Sequence, residues 1–570
     1  MSPANQKKLT GARILIETLI EQGVSVVFGY PGGQVVDIYD ELYKARRRLR
    51  HILTAHEQGA AHAADGYARV TGKVGAVIAT SGPGATNLVT GIATAMLDSV
   101  PMVVITGNVP TDLIGRDSFQ EVNITGITFS ITKHNYFVTD VNDLADTVRE
   151  AFRIAKSGRP GPVLIDIPKD IQTAKAYFTP GAPAEPFEEP HAAADKIAEA
   201  AAMIAASQRP LLYIGGGAAA NDLGPEIMEF AEKTDSFITC SLMGLSSVSN
   251  TCDRFLGMEG MHGRYAATKA TVEADLIIGV GVRFSDRATG NTKKYAKNAK
   301  ILQIDTDLSE INKNVIVDIG LVGNVKETFR LLSEATAAQT RPKWHARVME
   351  LKEQGRAIFD KINADALSTV TPRTVFDIIN ELKQPDTVIA TDVGQHQMWA
   401  AQYSRFLQPR RFVSSGGLGT MGYGMGAAIG AAFATGKHTV LITGDGSFGM
   451  NLNELATAVT YKVPVLIVLM DNTVLGMVRQ WQMLFFDGRC SATQLDRKTD
   501  FVKLAAAFGA KGERISTAEE FRAAFTRGWK YNGPYLIHVP VDKNELVLPM
   551  IPSGGSLEDL ITSDERKTKK

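Results

Sequence analysis

The feature that most constrains the fold is an alternation that runs the length of the chain: a short apolar run with no polar break, then a longer stretch of helical period. Runs at 25–30, 75–80, 101–107 and 162–168 read as strands buried on both faces. The pattern returns at 211–217, 274–281 and 300–305, and again at 387–391, 438–443 and 463–470. Strands joined through helices pair in parallel, because each crossover carries the chain back to the same edge. At 570 residues the chain exceeds what one hydrophobic core serves. The spacing predicts an α/β fold of three doubly wound parallel-sheet domains, at 8–175, 190–340 and 365–550. The first break is marked by aperiodic Pro, Ala and Glu at 173–190, the second by a charged stretch at 341–360.

Lys and Arg number 61 and so do Asp and Glu, so no net field draws the chain to polyanions and nucleic acid is not an expected partner. Cys240, Cys252 and Cys490 are too few and too scattered for a disulfide framework or a zinc site, as fits a reducing compartment. No apolar run follows the lysines near the start, and the next apolar stretch is broken by Glu17, Glu21 and Gln22. Neither export nor membrane insertion is expected, and the cytoplasm is the expected location.

The most telling local feature is Gly444-Asp445-Gly446-Ser447 at the end of one apolar run, with Asp471-Asn472 at the end of the next. In a doubly wound sheet successive strand ends meet at the carboxyl edge, so the Asp445 carboxylate and the Asn472 amide can converge on one hard cation such as magnesium. Alone, the first motif reads equally well as a tight turn. Together they match the diphosphate-binding motif of thiamine-diphosphate enzymes, with Asp471 where the first of two asparagines usually stands. Such an enzyme needs a carboxylate to protonate the cofactor's aminopyrimidine ring, and Glu57 in Thr54-Ala55-His56-Glu57-Gln58-Gly59-Ala60 is the candidate. The bland alternative is a glutamate favoured by the dipole at a helix start.

Over nearly the whole chain the sequence resembles acetohydroxyacid synthase. The resemblance is carried by Phe28-Gly29-Tyr30-Pro31-Gly32-Gly33, Phe119-Gln120-Glu121, Thr132-Lys133-His134-Asn135, Gly394-Gln395-His396-Gln397-Met398-Trp399 and Gln480-Trp481-Gln482. It implies thiamine diphosphate held by Tyr30, Pro31, Gly32, Glu57, Val393, Gly394, Gln395, His396, Gly419, Met421, Gly444, Asp445, Gly446, Ser447, Asn472 and Met477. Met421 would wedge under the cofactor and enforce its bent shape, and Mg2+ would sit on Asp445, Asn472 and Val474. Glu57, Gln120 and Lys133 are the implied catalytic residues, and Phe119, Arg287 and Trp481 the implied substrate contacts. An arginine suits a keto-acid carboxylate because its planar fork binds both oxygens. The resemblance also implies FAD in a non-redox role, at Arg159, Gly215, Gly216, Gly217, Ser241, Leu242, Met261, His262, Gly281, Arg283, Asp305 and Asn324. The triple glycine by itself is weak evidence, since it lacks the full dinucleotide fingerprint. Departures from the family pattern are Gln34, Asn108, Asp112, Glu259, Val282, Ser285, Asn324 and Gly426.

The expected activity is decarboxylation of pyruvate and transfer of the two-carbon unit to pyruvate or 2-ketobutyrate, in branched-chain amino-acid biosynthesis. The expected assembly is a homodimer or tetramer with active sites at the subunit interface, joined by a small regulatory subunit. The competing readings are a pyruvate oxidase or sulfoacetaldehyde acetyltransferase on the same scaffold, or a non-catalytic assembly partner.

Overall fold

The computed structural model describes residues 7–563, and these form three six-stranded parallel sheets, each flanked by helices. Across the first sheet the strands run Arg50–Leu53, Val26–Tyr30, Gly75–Ala79, Met102–Asn108, Pro162–Pro168 and His134–Phe137. The second runs Phe255–Met258, Phe237–Cys240, Pro210–Ile214, Leu276–Val280, Lys300–Asp305 and Ile319–Val322. The third runs Phe412–Val413, Val388–Thr391, Thr439–Gly444, Val465–Asp471, Tyr535–Pro540 and Lys511–Arg514. A short antiparallel ribbon of Lys7–Thr10 on Lys175–Phe178 ties the start of the first domain to its end.

The three-domain α/β expectation holds, and the apolar runs lie in the strands it placed. Met102–Asn108 and Pro162–Pro168 are buried throughout, as central strands covered by helices on both faces must be. The strands that sequence patterning passes over include the edges Arg50–Leu53, His134–Phe137 and Lys511–Arg514, whose sequences RHIL, HNYF and KGER carry polar side chains. Edge strands need no apolar run because one side meets solvent.

Sheet order decides where ligands can sit. In the first and third sheets the order reverses between the first and third strands in chain order, and in the second between the first and fourth. At such a switch point adjacent crossovers leave in opposite directions and open a crevice beyond the carboxyl ends of the strands. The order of the second sheet is that of the dinucleotide-binding fold.

The first and third domains meet along helices Glu57–Thr71 and Gly424–Thr435. Both are rich in Gly and Ala and buried nearly all round, so the backbones approach closely. A Cβ on Gly430 would stand 1.9 Å from the Ala63 carbonyl oxygen, and one on Gly66 2.2 Å from that of Ala427. Helix Pro342–Ala364 packs Trp344, Val348 and Leu351 against the second domain, and the C-terminal segment returns to it through Ile551 N–H donating to the Met261 carbonyl at 2.8 Å. Among the described residues no helix is long and apolar enough to cross a membrane. Gly430→Ala should push the helix pair apart at a cost of about 1–3 kcal/mol, read as a lowered midpoint in thermal or urea unfolding; an unchanged midpoint would mean that the two domains are not held together by this contact.

Candidate functional site

One cluster forms at the carboxyl edge of the third sheet. Strand Thr439–Gly444 pairs in parallel with Val465–Asp471, with Gly444 opposite Met470, so the residues that follow each strand meet. Burial, then the charge of Asp471, pushes the Asp445 carboxyl up to about 7. Burial also opposes ionisation of Asp471, but the hydrogen bond with His538 Nε2 at 2.8 Å holds that carboxyl below the usual range. Asn472 donates from Nδ2 to Gln395 Oε1 at 2.9 Å and accepts the Val474 N–H on Oδ1 at 3.1 Å. Asp445, Asn472 and the Val474 backbone thus offer a carboxylate, an amide and a carbonyl, the donor types that magnesium takes. Gln395 donates on to Gln480 Oε1 and the Glu545 carbonyl, at 3.1 and 2.8 Å, fixing helices Gln395–Tyr403 and Gly476–Phe485 to one corner.

His396 lies against the turn, and a Cβ on Gly444 would be 2.8 Å from its Nδ1, so only glycine permits this approach. Burial holds the imidazole neutral, down at about 3, and its buried Nε2 has no partner among the described residues. A buried polar atom without a protein partner is what a bound ligand satisfies. Met421 reaches the same turn, its Cε 3.8 Å from where a Cβ on Gly446 would stand. The sequence reading missed Asp392, whose Oδ1 accepts the N–H groups of Val393 at 3.0 Å and Gly422 at 2.8 Å. Its signal was available: it is a carboxylate directly after a buried strand.

A second cluster forms at the same edge of the first sheet. Glu57 opens its helix behind the His56 cap and accepts Asn87 Nδ2 at 3.0 Å. Gly32 approaches Thr80 so closely that a Cβ would be 2.4 Å from its Cγ2. Gln120, held at φ +62, packs against Gly82. Tyr30 to Gly32, Glu57, Asn87 and Gln120 therefore share one edge, with Phe119 projecting into solvent at 84 % exposure. Asn87 and Thr80 carried no signal in the sequence beyond polar residues near glycine turns.

Lys133 does not join them. Its Nζ donates to the carbonyls of Ile154 and Ser157, at 2.5 Å each, at the end of helix Leu144–Lys156, and burial pulls the ammonium down to about 8. A cation there complements unpaired carbonyls at a helix terminus. Within one chain Lys133 is thus engaged by helix-end carbonyls, with no hydrogen bond to the residues of the Glu57 cluster among the described residues. Among the described residues no hydrogen bond or ion pair joins the Glu57 cluster to the Asp445 cluster. The start of the Glu57 helix instead meets Glu454, which accepts the N–H groups of Ala55 and His56 at 3.3 and 3.0 Å.

A cavity of about 1610 Å3 opens between the three domains, from the switch point of the second sheet to the Val393–Gly394 corner of the third. Every residue that the family resemblance implies for flavin lines it except Gly215. Gly215 instead lets the chain pass Gly281, since a Cβ there would be 2.2 Å from the Gly281 carbonyl oxygen. Both ring nitrogens of His262 are buried without partners among the described residues, and burial lowers that imidazole to about 4. Arg159 enters from the first domain, bonded to Ser99 Oγ at 2.8 Å and Glu310 Oε1 at 2.7 Å. Near the third domain the Arg287 guanidinium stands over the Trp481 ring at 5.5 Å, and the buried Trp481 Nε1 has no partner.

Family models for the thiamine pyrophosphate enzyme N-terminal TPP binding domain, central domain and C-terminal TPP binding domain match residues 9–127, 197–332 and 392–539. The acetolactate synthase isozyme 2 large subunit of Escherichia coli strain K12 is 44% identical over 556 residues, 97% of this chain and 99% of that protein. The acetolactate synthase large subunit of Haemophilus influenzae is 42% identical over 577 residues, covering 98% and 99%. A probable acetolactate synthase large subunit of Methanocaldococcus jannaschii is 44% identical over 565 residues, covering 97% and 95%. The chain belongs to the acetolactate synthase large-subunit family.

Several departures from that family's pattern have physical accounts. Asn324 caps helix Val325–Ala335, its Oδ1 accepting the Glu327 N–H at 3.0 Å, a role Asp fills equally. At Gly426 a Cβ would be 2.7 Å from the Gly59 carbonyl oxygen, so this helix pairing leaves no room for a larger residue. Asn108 donates to Asp166 at 2.6 Å inside the first domain. Nothing in the single chain explains Gln34 or Asp112. Glu259 is buried on the cavity wall, accepting Thr239 and Thr271 hydroxyls at 3.0 and 2.6 Å and the Tyr295 hydroxyl at 2.9 Å. Burial lifts this carboxyl to about 7 from the ordinary 4.5. The folded chain thus holds the proton more tightly than the unfolded one, and the stability this contributes is lost as pH rises from 4.5 through about 7. Glu259→Gln should remove on the order of 2–3 kcal/mol from the fall in stability between about pH 5 and about pH 8. Parallel curves of unfolding free energy against pH for the two proteins would contradict the buried, protonated carboxyl.

Proposed function

We infer that this chain is the catalytic subunit of an acetohydroxyacid synthase that decarboxylates pyruvate and transfers the two-carbon unit to pyruvate or 2-ketobutyrate, toward valine, leucine and isoleucine. The observation that carries this reading is Arg287 stacked on Trp481 beside the Val393–Gly394 corner, in a chain alike over its full length to acetolactate synthase large subunits. An arginine fork over an aromatic wall fits the carboxylate and apolar tail of a 2-keto acid. It also favours this activity over an oxidase or an acetyltransferase on the same scaffold.

When bound, thiamine diphosphate supplies the nucleophilic carbon and the electron sink that decarboxylation requires. Val393 to His396, Gly444 to Ser447 and the neutral His396 Nε2 would receive its diphosphate. Asp445, Asn472 and the Val474 carbonyl would hold Mg2+. Met421 would prop the cofactor in its bent form, with Gly419 and Met477 beside it. Glu57, kept in place by Asn87, would exchange a proton with the aminopyrimidine ring. Gln120 and Phe119 would close over the reacting end. The interdomain cavity suits FAD, whose polar edges would meet the unpartnered His262 nitrogens and Arg159.

The Glu57 cluster of one subunit would complete the Asp445 cluster of another. Large apolar side chains beside both clusters are uncovered in the single chain: Phe119 at 84 %, Phe129 at 79 %, Met450 at 59 % and Val478 at 52 % exposure. Such side chains usually mark a contact surface. A homodimer or tetramer follows, with a small regulatory subunit as a further partner, since the relatives are large subunits. The free thiols of Cys240, Cys252 and Cys490 suit the cytoplasm.

The purified chain, given pyruvate with or without 2-ketobutyrate, should form 2-acetolactate or 2-aceto-2-hydroxybutyrate, and only when thiamine diphosphate and Mg2+ are supplied. Acetyl phosphate, acetaldehyde alone or no product under these conditions would contradict the assignment.

A further inference from the structure

One segment, 414–422, is shared by the cavity and the proposed thiamine site. Ser415, Gly416, Gly417, Leu418 and Gly419 line the cavity, while Met421 a few residues on touches the turn at Gly446. The ends of the segment are pinned beside the diphosphate corner. Gln397 Nε2 donates to Ser414 Oγ at 2.8 Å and the Ser415 carbonyl at 3.1 Å, and the Gly422 N–H donates to Asp392 at 2.8 Å.

Its middle is held from another domain. Asp98 accepts the Gly416 N–H on Oδ2 at 3.0 Å and the Gly417 N–H on Oδ1 at 2.7 Å. The approach is so close that a Cβ on Gly417 would be 2.9 Å from Asp98 Oδ1. The Asp98 side chain is buried at the cavity margin and is paired by Arg69 Nη2 at 2.8 Å. Arg69 also binds Asp65 at 2.6 Å, and Asp65 accepts the Tyr423 hydroxyl at 2.5 Å. Thr94 and Thr420 share a hydroxyl bond of 2.7 Å. A buried carboxylate that accepts two consecutive N–H groups fixes peptide orientation as well as position. The third domain of contact is Met243, whose Sδ would be 2.3 Å from a Cβ on Gly416 and which itself lines the cavity.

We propose that Asp98 is a positioning residue, and that through its hold on Gly416 and Gly417 filling of the interdomain cavity sets the position of Met421 and so the affinity of the thiamine site. The inference rests on the cofactor assignments made above. A ligand in the cavity presses on one face of the segment. The ends are anchored on the buried Gln397 and Asp392, so a displacement of residues 415–419 is taken up between the anchors, where Met421 stands. Coupling of this kind is reciprocal: whatever factor one ligand contributes to the binding of the other is returned in full.

The test is equilibrium binding to the whole protein, without turnover. Thiamine diphosphate with Mg2+ is titrated by Trp fluorescence quenching in the absence and presence of saturating FAD, and FAD is titrated with and without thiamine diphosphate. In the parent protein each ligand should tighten the other by roughly tenfold, the two factors agreeing. Asp98→Asn keeps the volume but faces an amide N–H toward a backbone N–H, and should bring both factors to within about twofold of unity while each ligand still binds. A loss of stability alone would weaken binding without changing the ratio. If Asp98→Asn does not fold, Thr94→Val, which removes the bond to Thr420 together with a local bond to the Thr90 carbonyl of its own helix, should lower the factor at least threefold. A parent factor of one, or a factor that survives these substitutions, overturns the inference and leaves the cofactor assignments standing. Failure of the parent protein to bind thiamine diphosphate at all overturns both.

Discussion

The contact on which the rest of the molecule depends is the packing of helix Glu57–Thr71 on helix Gly424–Thr435. Each helix is the one that follows a chemically loaded turn: the first begins with Glu57, the second follows the segment that carries Met421. Their glycines and alanines bring backbone against backbone, so the distance between the two turns is set by hard contact and not by flexible side chains. Polar links at both ends reinforce the register. Glu454 accepts the N–H groups of Ala55 and His56, while Asp65 accepts the Tyr423 hydroxyl and Asp98 the N–H groups of Gly416 and Gly417, with Arg69 pairing both carboxylates. The charged cluster is deeply buried, yet each carboxylate in it accepts at least two hydrogen bonds, the condition under which buried charge is tolerated.

The chemistry lies at carboxyl edges because parallel pairing puts it there. Gly444 opposite Met470 fixes where Asp445 and Asn472 emerge, and Val280 opposite Ile214 brings Gly281 against Gly215 at the head of the second sheet. In the proposed function the first edge would serve an anion with its cation; the second opens on a cavity of about 1610 Å3. The cavity reaches the first edge at Val393, Gly394 and Met477 as well as along residues 415–419. Their polar atoms carry a common mark: His396 and His262 are buried, neutral and short of partners within the chain. A bound ligand is one partner that satisfies such atoms.

Much of this was legible in the sequence because the relevant signals are local. Uninterrupted apolar runs mark central strands, and a glycine-bracketed Asp at the end of one marks a ligand edge. Polar edge strands such as Lys511–Arg514 were illegible for the same reason, since their pairing is decided by neighbours far along the chain. Asn87, Glu454 and Asp98 escaped notice because each acts on a partner distant in sequence: Glu57, Ala55 with His56, and Gly416 with Gly417. Lys133 shows the opposite case. Its neighbourhood in sequence matched a motif, but the nearest unsatisfied acceptors in space were the carbonyls at a helix end. Gly215 likewise belongs to a glycine run that reads as a binding turn, while the fold uses it for close packing.

The central claim is that the Glu57 and Asp445 clusters act together only between subunits. Subunit mixing tests it most directly. Glu57→Gln and Asp445→Asn proteins, each inactive alone, are combined, allowed to exchange subunits and assayed for acetolactate. If each site draws on both chains, a mixed dimer has one site carrying both substitutions and one carrying neither, and an equal mixture should recover about a quarter of the parent activity. If both clusters serve a site within one chain, every subunit in the mixture stays impaired and no activity returns.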